Sequence, residues 1–154
     1  MNEPPPGRLA GIDYGTVRIG IALTDRDQQF ASPYENYDRR DPQADAQRFE
    51  RLVKEEAIVQ FVVGLPVHTH GGESQKSKEA CDFGAWLKEV TSVPVTFYDE
   101  RYSSFEAEQM LQDAQFTKKR RKQRLDMLAA QIMLAAYLES DRDGEHKPRD
   151  LADH

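Results

Sequence analysis

Cysteine is nearly absent from this chain: Cys81 stands alone among 154 residues. One thiol cannot build an internal disulfide framework, and such scarcity suits a reducing cytosol. Long apolar runs are missing too. The longest, MLAAQIMLAAYL at 127–138, has 12 residues, short of the roughly 20 that a membrane-spanning helix needs. The opening MNEPPPGR holds no apolar stretch and reads as no secretory signal. Nor is there an excess of positive charge: 27 Asp and Glu outnumber 21 Lys and Arg, for a formal −6, whereas a general polyanion binder needs surplus cations. The expectation is a cytoplasmic protein without a membrane partner. The length suits a single domain over 1–154 with a real core.

The cations that are present are concentrated. KKRRKQR at 118–124 places Lys118, Lys119, Arg120, Arg121, Lys122 and Arg124 within seven residues. A charge run of this kind by itself reads as a solvated loop or helix face. Any polyanion would nevertheless have to approach the chain there.

The pattern of apolar residues gives an element order. Strands are expected over 8–13, 17–24 and 33–37, with Ile12, Ile19, Ile21 and Leu23 buried and a tight turn at Gly15-Thr16. QADAQRFERLVKEE at 43–56 has Ala46, Phe49, Leu52 and Val53 at helical spacing. The run VQFVVGLP at 59–66 has the length and continuous apolarity of a strand covered on both faces. A helix over 73–90 should turn Ala80, Phe83, Leu87 and Val90 inward, and VPVTFYD at 93–99 forms the next strand. Ser103 and Glu106 make a capping-box pattern for a helix to 114. The basic stretch then reads as a loop, followed by a last helix over 124–139. Ala129, Ala130, Ala135 and Ala136 would let that helix lie close on the sheet. The order implies an α/β fold: an antiparallel three-stranded meander plus two parallel strands in one mixed five-stranded sheet, flanked by helices. The core spans about 8–140, with polar, mobile termini at 1–7 and 141–154.

Three carboxylates sit where this architecture would gather them, beyond the carboxyl ends of the parallel strands. Asp13 ends the first strand, Glu100 follows the last one in FYDERYSS, and Asp126 opens the apolar final helix. Each has a plainer reading: turn chemistry for Asp13, an ion pair with Arg101 for Glu100, a helix-dipole partner for Asp126. Together they are harder to dismiss. At about 5 Å and an effective dielectric near 20, each pair of carboxylates costs about 3 kcal/mol. A divalent cation would offset that repulsion, and an all-oxygen donor set points to Mg²⁺ or Mn²⁺.

GIDYGTVRIGIALTD, VVGLP, DERYSSFEAEQML and LDMLAAQIMLAAYL resemble, in order and spacing, the YqgF/RuvX family of bacterial RNase H-like nucleases. The resemblance runs from about residue 8 to 139. It implies an RNase H-like fold, a cytoplasmic location and metal-dependent phosphodiester cleavage. It links the chain to maturation of the 5′ end of pre-16S rRNA, with Holliday-junction resolution as the alternative. The family's acidic triad maps onto Asp13, Glu100 and Asp126, which would hold two metal ions once substrate is bound.

With that triad, the stretch from Lys118 to Arg124 reads as a phosphate-gripping flexible loop, whose grip would be salt-dependent and indifferent to base sequence. Arg18 matches a basic family position and either touches the nucleic-acid backbone or is an exposed strand residue. Arg101 either neutralises a phosphate or orients Glu100, and Ser103 is a helix cap or a phosphate ligand. The family loop after GLP usually ends in Asp-Gly, whereas this chain reads VHTHGG with His70 at the Asp position. That departure makes His68 and His70 accessory candidates and puts substrate preference in question. Cys81 is expected to be a semi-buried packing residue. The partner is structured RNA or branched DNA, and the chain a monomer or homodimer. Two further readings compete: a non-catalytic ribosome-assembly or transcription factor, and an actin-like ATP binder, for which GIDYGT would be the phosphate hairpin but 154 residues leave no second domain.

Overall fold

The computed structural model describes residues 7–66, 75–99 and 118–143, with side chains in the last helix described from 127 to 140. The helix expected over 103–114 lies outside the described residues, as do Glu100, Arg101, Ser103, His68 and His70. The same holds for 1–6 and 144–154, where most of the mobility expected of the termini falls.

Five strands form one sheet: β1 Arg8–Asp13, β2 Arg18–Thr24, β3 Ala31–Asp38, β4 Ile58–Leu65 and β5 Val95–Asp99, in the order β3-β2-β1-β4-β5. β1 pairs antiparallel with β2, and β2 with β3, while β1–β4 and β4–β5 are parallel. The meander and crossover units therefore stand as the apolar pattern predicts. Strand ends differ by one to two residues, because pairing with neighbours rather than hydropathy sets where a ladder stops.

Helices α1 Pro42–Glu56 and α2 Gln75–Thr91 cover one face of the sheet, and α3 Lys118–Asp143 covers the other. α1 begins where Asp41 accepts a hydrogen bond from the Ala44 N–H and Pro42 occupies the first helical position. It ends at Ala57, whose φ of 55° turns the chain directly into β4. Strand alternation sorts the side chains. Ala10 and Ile12 join Phe49, Phe61 and Phe83 beneath α1 and α2, whereas Leu9 joins Ala130, Met133 and Leu134 beneath α3. Gly11 and Asp13 share the parity of Leu9 and so belong to the α3 face.

Four expectations are corrected. The basic stretch from Lys118 to Arg124 is the start of α3 and not a loop. Lys, Arg and Gln are strong helix formers, no Gly or Pro interrupts them, and the apolar segment that follows anchors the helix on the sheet. The helix also runs on to Asp143, past its expected end at 139. Within α3, Ala130 is buried but Ala135 faces solvent. In α1, Ala46 is only half-buried, and the fully buried first-turn residue is the acid Asp45.

Candidate active site

The parallel strands β1, β4 and β5 all end at one edge of the sheet, and Asp13 closes the central one of the five, β1. Across the ladder Asp13 pairs with Gly20 on β2. On its other side the β1–β4 register, with Ile12 opposite Val63, brings Gly64 alongside. Asp13 is thus a half-buried carboxylate with side-chain-free residues to either side on its own face. That leaves room for a ligand above it.

Beyond this edge opens a cleft of about 370 Å³, lined by Asp13, the turn from Tyr14 to Arg18, Gly64, Pro66 and the α2 residues Lys76 and Glu79. The turn requires Gly15: a Cβ there would lie 2.3 Å from the Arg18 carbonyl. Val17, 64% exposed, and Arg18 project at the rim. Exposed Lys76 stands on the α2 side, so the cleft carries cations on two separate elements beside the Asp13 and Glu79 carboxylates. Such a distribution suits a polyanion that brings its charge to a carboxylate through intervening cations.

Arg18 therefore lies in the cleft as the first residue of β2. Glu100 follows the last residue of β5 in sequence but is outside the described residues, and the Asp126 side chain is also outside them. Among the described residues, no group of three Asp, Glu, His or Cys side chains forms a metal-sized cluster. Lys76 and Glu79 went unnoticed in the sequence. The signal that could have found them is their place at the start of the helix following a parallel strand, where clefts of α/β sheets form. Cys81 is half-buried, as expected.

Two further residues support the turn. Arg39 donates from Nη1 to the Tyr14 hydroxyl at 2.9 Å, and Asp45, wholly buried, accepts from the Tyr37 hydroxyl at 2.6 Å. Burial, with the adjoining Asp45 carboxylate, pushes the Tyr37 phenol up to about 12. No helix among the described residues is long and apolar enough to cross a membrane.

A family model described as "RuvX: Holliday junction resolvase" matches residues 7–140. A "Putative pre-16S rRNA nuclease" of Rhodopirellula baltica is 49% identical over 139 residues, covering 90% of this chain and 80% of that one. One of the same name from Koribacter versatilis is 33% identical, covering 90% and 92%. Among solved structures, Thermus thermophilus RuvC in complex with Holliday junction substrate superposes with a TM-score of 0.57 at 18% identity, over 92% of this chain and 98% of that one. The fowlpox virus resolvase with its junction DNA gives 0.53 at 11%, over 86% and 97%. The mixed sheet is thus that of the RNase H-like resolvases, and with the family's pattern running through β1, the cleft and α3, the chain belongs to the RuvX family.

Proposed function

We propose that this chain is a divalent-metal-dependent endonuclease that hydrolyses phosphodiester bonds of a structured RNA precursor, the 5′ end of pre-16S rRNA. The observation that carries the reading is Asp13: a carboxylate at the end of the central strand, flanked by glycines, on a cleft that Arg18 and Lys76 also line. The names of the relatives support the RNA substrate.

Asp13, Glu100 and Asp126 are the proposed ligands of Mg²⁺ or Mn²⁺. The donor set is all oxygen, as these hard cations prefer, and the glycines beside Asp13 leave space for them. Glu100 comes directly after Asp99, and β5 runs parallel to β1, so the chain leaves β5 at the edge where Asp13 stands. Asp126 precedes Ala130 by one turn of α3. Along that helix Tyr137 meets Gln60, which is paired with Leu9, while Leu134 and Ala130 lie over Gly11. Leu134 and Ala130 of α3 thus lie over the strand that ends in Asp13, and Asp126 stands one turn before Ala130, which supports it as the third ligand.

Bound metal ions would supply an acidified water and neutralise charge on the leaving 3′ oxygen. The chain's own part is to orient and hold. Asp13 fixes the reacting edge of the sheet, Arg18 and Lys76 neutralise phosphates from two separate elements, and the cations from Lys118 to Arg124, on the first turns of α3, grip the backbone further out. Binding should weaken steeply with salt. Arg101 and Ser103 remain proposed phosphate or positioning groups, and His68 and His70 proposed accessories.

The family description favours a second reading, cleavage of four-way DNA junctions. That requires two coordinated cuts and hence a symmetric dimer. Incubating the protein with Mn²⁺ and either a pre-16S rRNA precursor or a four-way junction separates the two. Asp13→Asn should abolish cutting while the protein stays folded, and its metal-free melting temperature should hold or rise, since one anion leaves a repulsive group. Cleavage of neither substrate, or cleavage that survives Asp13→Asn, overturns the proposal.

A further inference from the structure

The turn that follows Asp13 is gripped from behind by one side chain. Arg39, just past β3, donates from Nη1 to the Tyr14 hydroxyl at 2.9 Å and to the Gly15 carbonyl at 3.5 Å. Its backbone N–H donates to the Val17 carbonyl at 2.9 Å. The guanidinium also lies 5.3 Å from the centre of the Tyr14 ring and 5.6 Å from that of Phe83. Tyr14 and Phe83 in turn stack at 4.9 Å. One arginine therefore meets three of the four residues between Asp13 and Arg18.

Behind the arginine stands Asp45. This carboxylate, fully buried in the first turn of α1, accepts from Arg39 Nε at 3.4 Å, from the Arg40 N–H at 3.0 Å and from the Tyr37 hydroxyl at 2.6 Å. A buried acid so enclosed cannot swing, so it fixes the plane of the guanidinium that reaches the turn. Only a planar fork can meet the acid with one nitrogen and the turn with another; a lysine ammonium is a single point.

We propose that Arg39 is a positioning residue: braced on Asp45, it locks the Tyr14–Gly15 turn and thereby holds Asp13 in the geometry that binds metal. The inference rests on the reading of Asp13 as a metal ligand. Side chains that orient ligands from behind commonly alter metal affinity or activity by about 10–100-fold when removed.

The test compares wild type with Arg39→Ala, Arg39→Lys and Tyr14→Phe. Its readouts are Mn²⁺ affinity by calorimetry, amide hydrogen exchange at residues 14–17, kcat and KM for cleavage, and nucleic-acid affinity without metal. Arg39→Ala should weaken Mn²⁺ binding and lower kcat by about 10–100-fold, and speed exchange in the turn, with KM and metal-free nucleic-acid affinity unchanged. Arg39→Lys should fail to rescue, and Tyr14→Phe should shift both Mn²⁺ affinity and exchange in the same direction by less. If Arg39→Ala does not fold, the other two variants decide. Wild-type Mn²⁺ affinity and turn exchange in the folded variants, or full rescue by lysine, overturns the inference while leaving the nuclease reading intact. A wild-type protein that neither binds Mn²⁺ nor cuts overturns the nuclease reading, and the positioning role with it.

Discussion

The two faces of the sheet are built on opposite principles. Beneath α1 and α2 the layer is thick and aromatic: Phe49 meets Tyr37, Phe61, Phe83 and Trp86 at centroid distances of 6.0, 6.3, 5.8 and 6.5 Å, all steeply inclined. Beneath α3 the layer is thin over β1, with Ala22, Ala130 and Gly11 among Leu9, Val62 and Leu134, and its Tyr98–Tyr137 pair stands to one side, over β5. Edge-to-face rings add specific geometry to their large buried area, so the thick face sets the scaffold. The thin face lets a helix approach the backbone of β1 closely, on the strand that ends in Asp13. One face supplies stability; the other supplies proximity.

Phe49→Ala tests the thick face and should have the largest effect. The ring is wholly buried at the centre of the aromatic contacts, and loss of such a side chain costs about 3–5 kcal/mol. Urea denaturation measures it, and catalytic constants of the protein that remains folded should stay near wild type. Gly11→Ala tests the thin face. Its new Cβ would lie 3.0 Å from the Leu134 Cβ and 3.2 Å from the Ala130 carbonyl, so α3 must shift outward, at a cost of about 1–3 kcal/mol. Here the order of effects should reverse, with less stability lost but more activity, because α3 also carries Asp126. Activity falling only in step with unfolding in both variants would erase the distinction between the faces.

How much of this was legible in the sequence follows the same division. The strands of the meander and the parallel pair were readable because Ile, Val and Gly alternate or run as pairing demands, and Asp13 and Arg18 could be placed from them. The start of α3 was misread. A dense cluster of like charges looks like solvated loop, yet residues 118–124 contain no helix breaker and lead into an apolar helix that the sheet holds in place. Asp45 was invisible for a different reason. Hydrophobic periodicity selects Ala46, and nothing within α1 announces that Tyr37, Arg39 and Arg40 will converge on an acid next to it. Lys76 likewise acquires meaning only when α2 is folded against the β1–β2 turn. Contacts between elements distant in sequence carry no local pattern, and the support of the site consists mostly of such contacts.

The smallest effect concerns the polar margin of the thick face, and it appears only at alkaline pH. Tyr37 donates its proton to a buried carboxylate, and burial together with that neighbour raises its pKa from 10.0 to about 12. The folded protein thus retains this proton where the unfolded chain has begun to lose it, so the stabilisation is complete below pH 10 and is lost as pH rises from 10 toward 12. Thermal melts across that range should show the melting temperature falling. Tyr37→Phe should start from a lower melting temperature at neutral pH, because Asp45 loses a donor, but should lack this alkaline decline. On the thin face, Tyr137 accepts from the neutral amide of Gln60 at 3.2 Å instead, so Tyr137→Phe should keep the Tyr37 decline intact. If Tyr137→Phe abolished it and Tyr37→Phe did not, the titrating hydroxyl would belong to the wrong side of the sheet, and Asp45 would have to be held chiefly by Arg39 and the Arg40 amide.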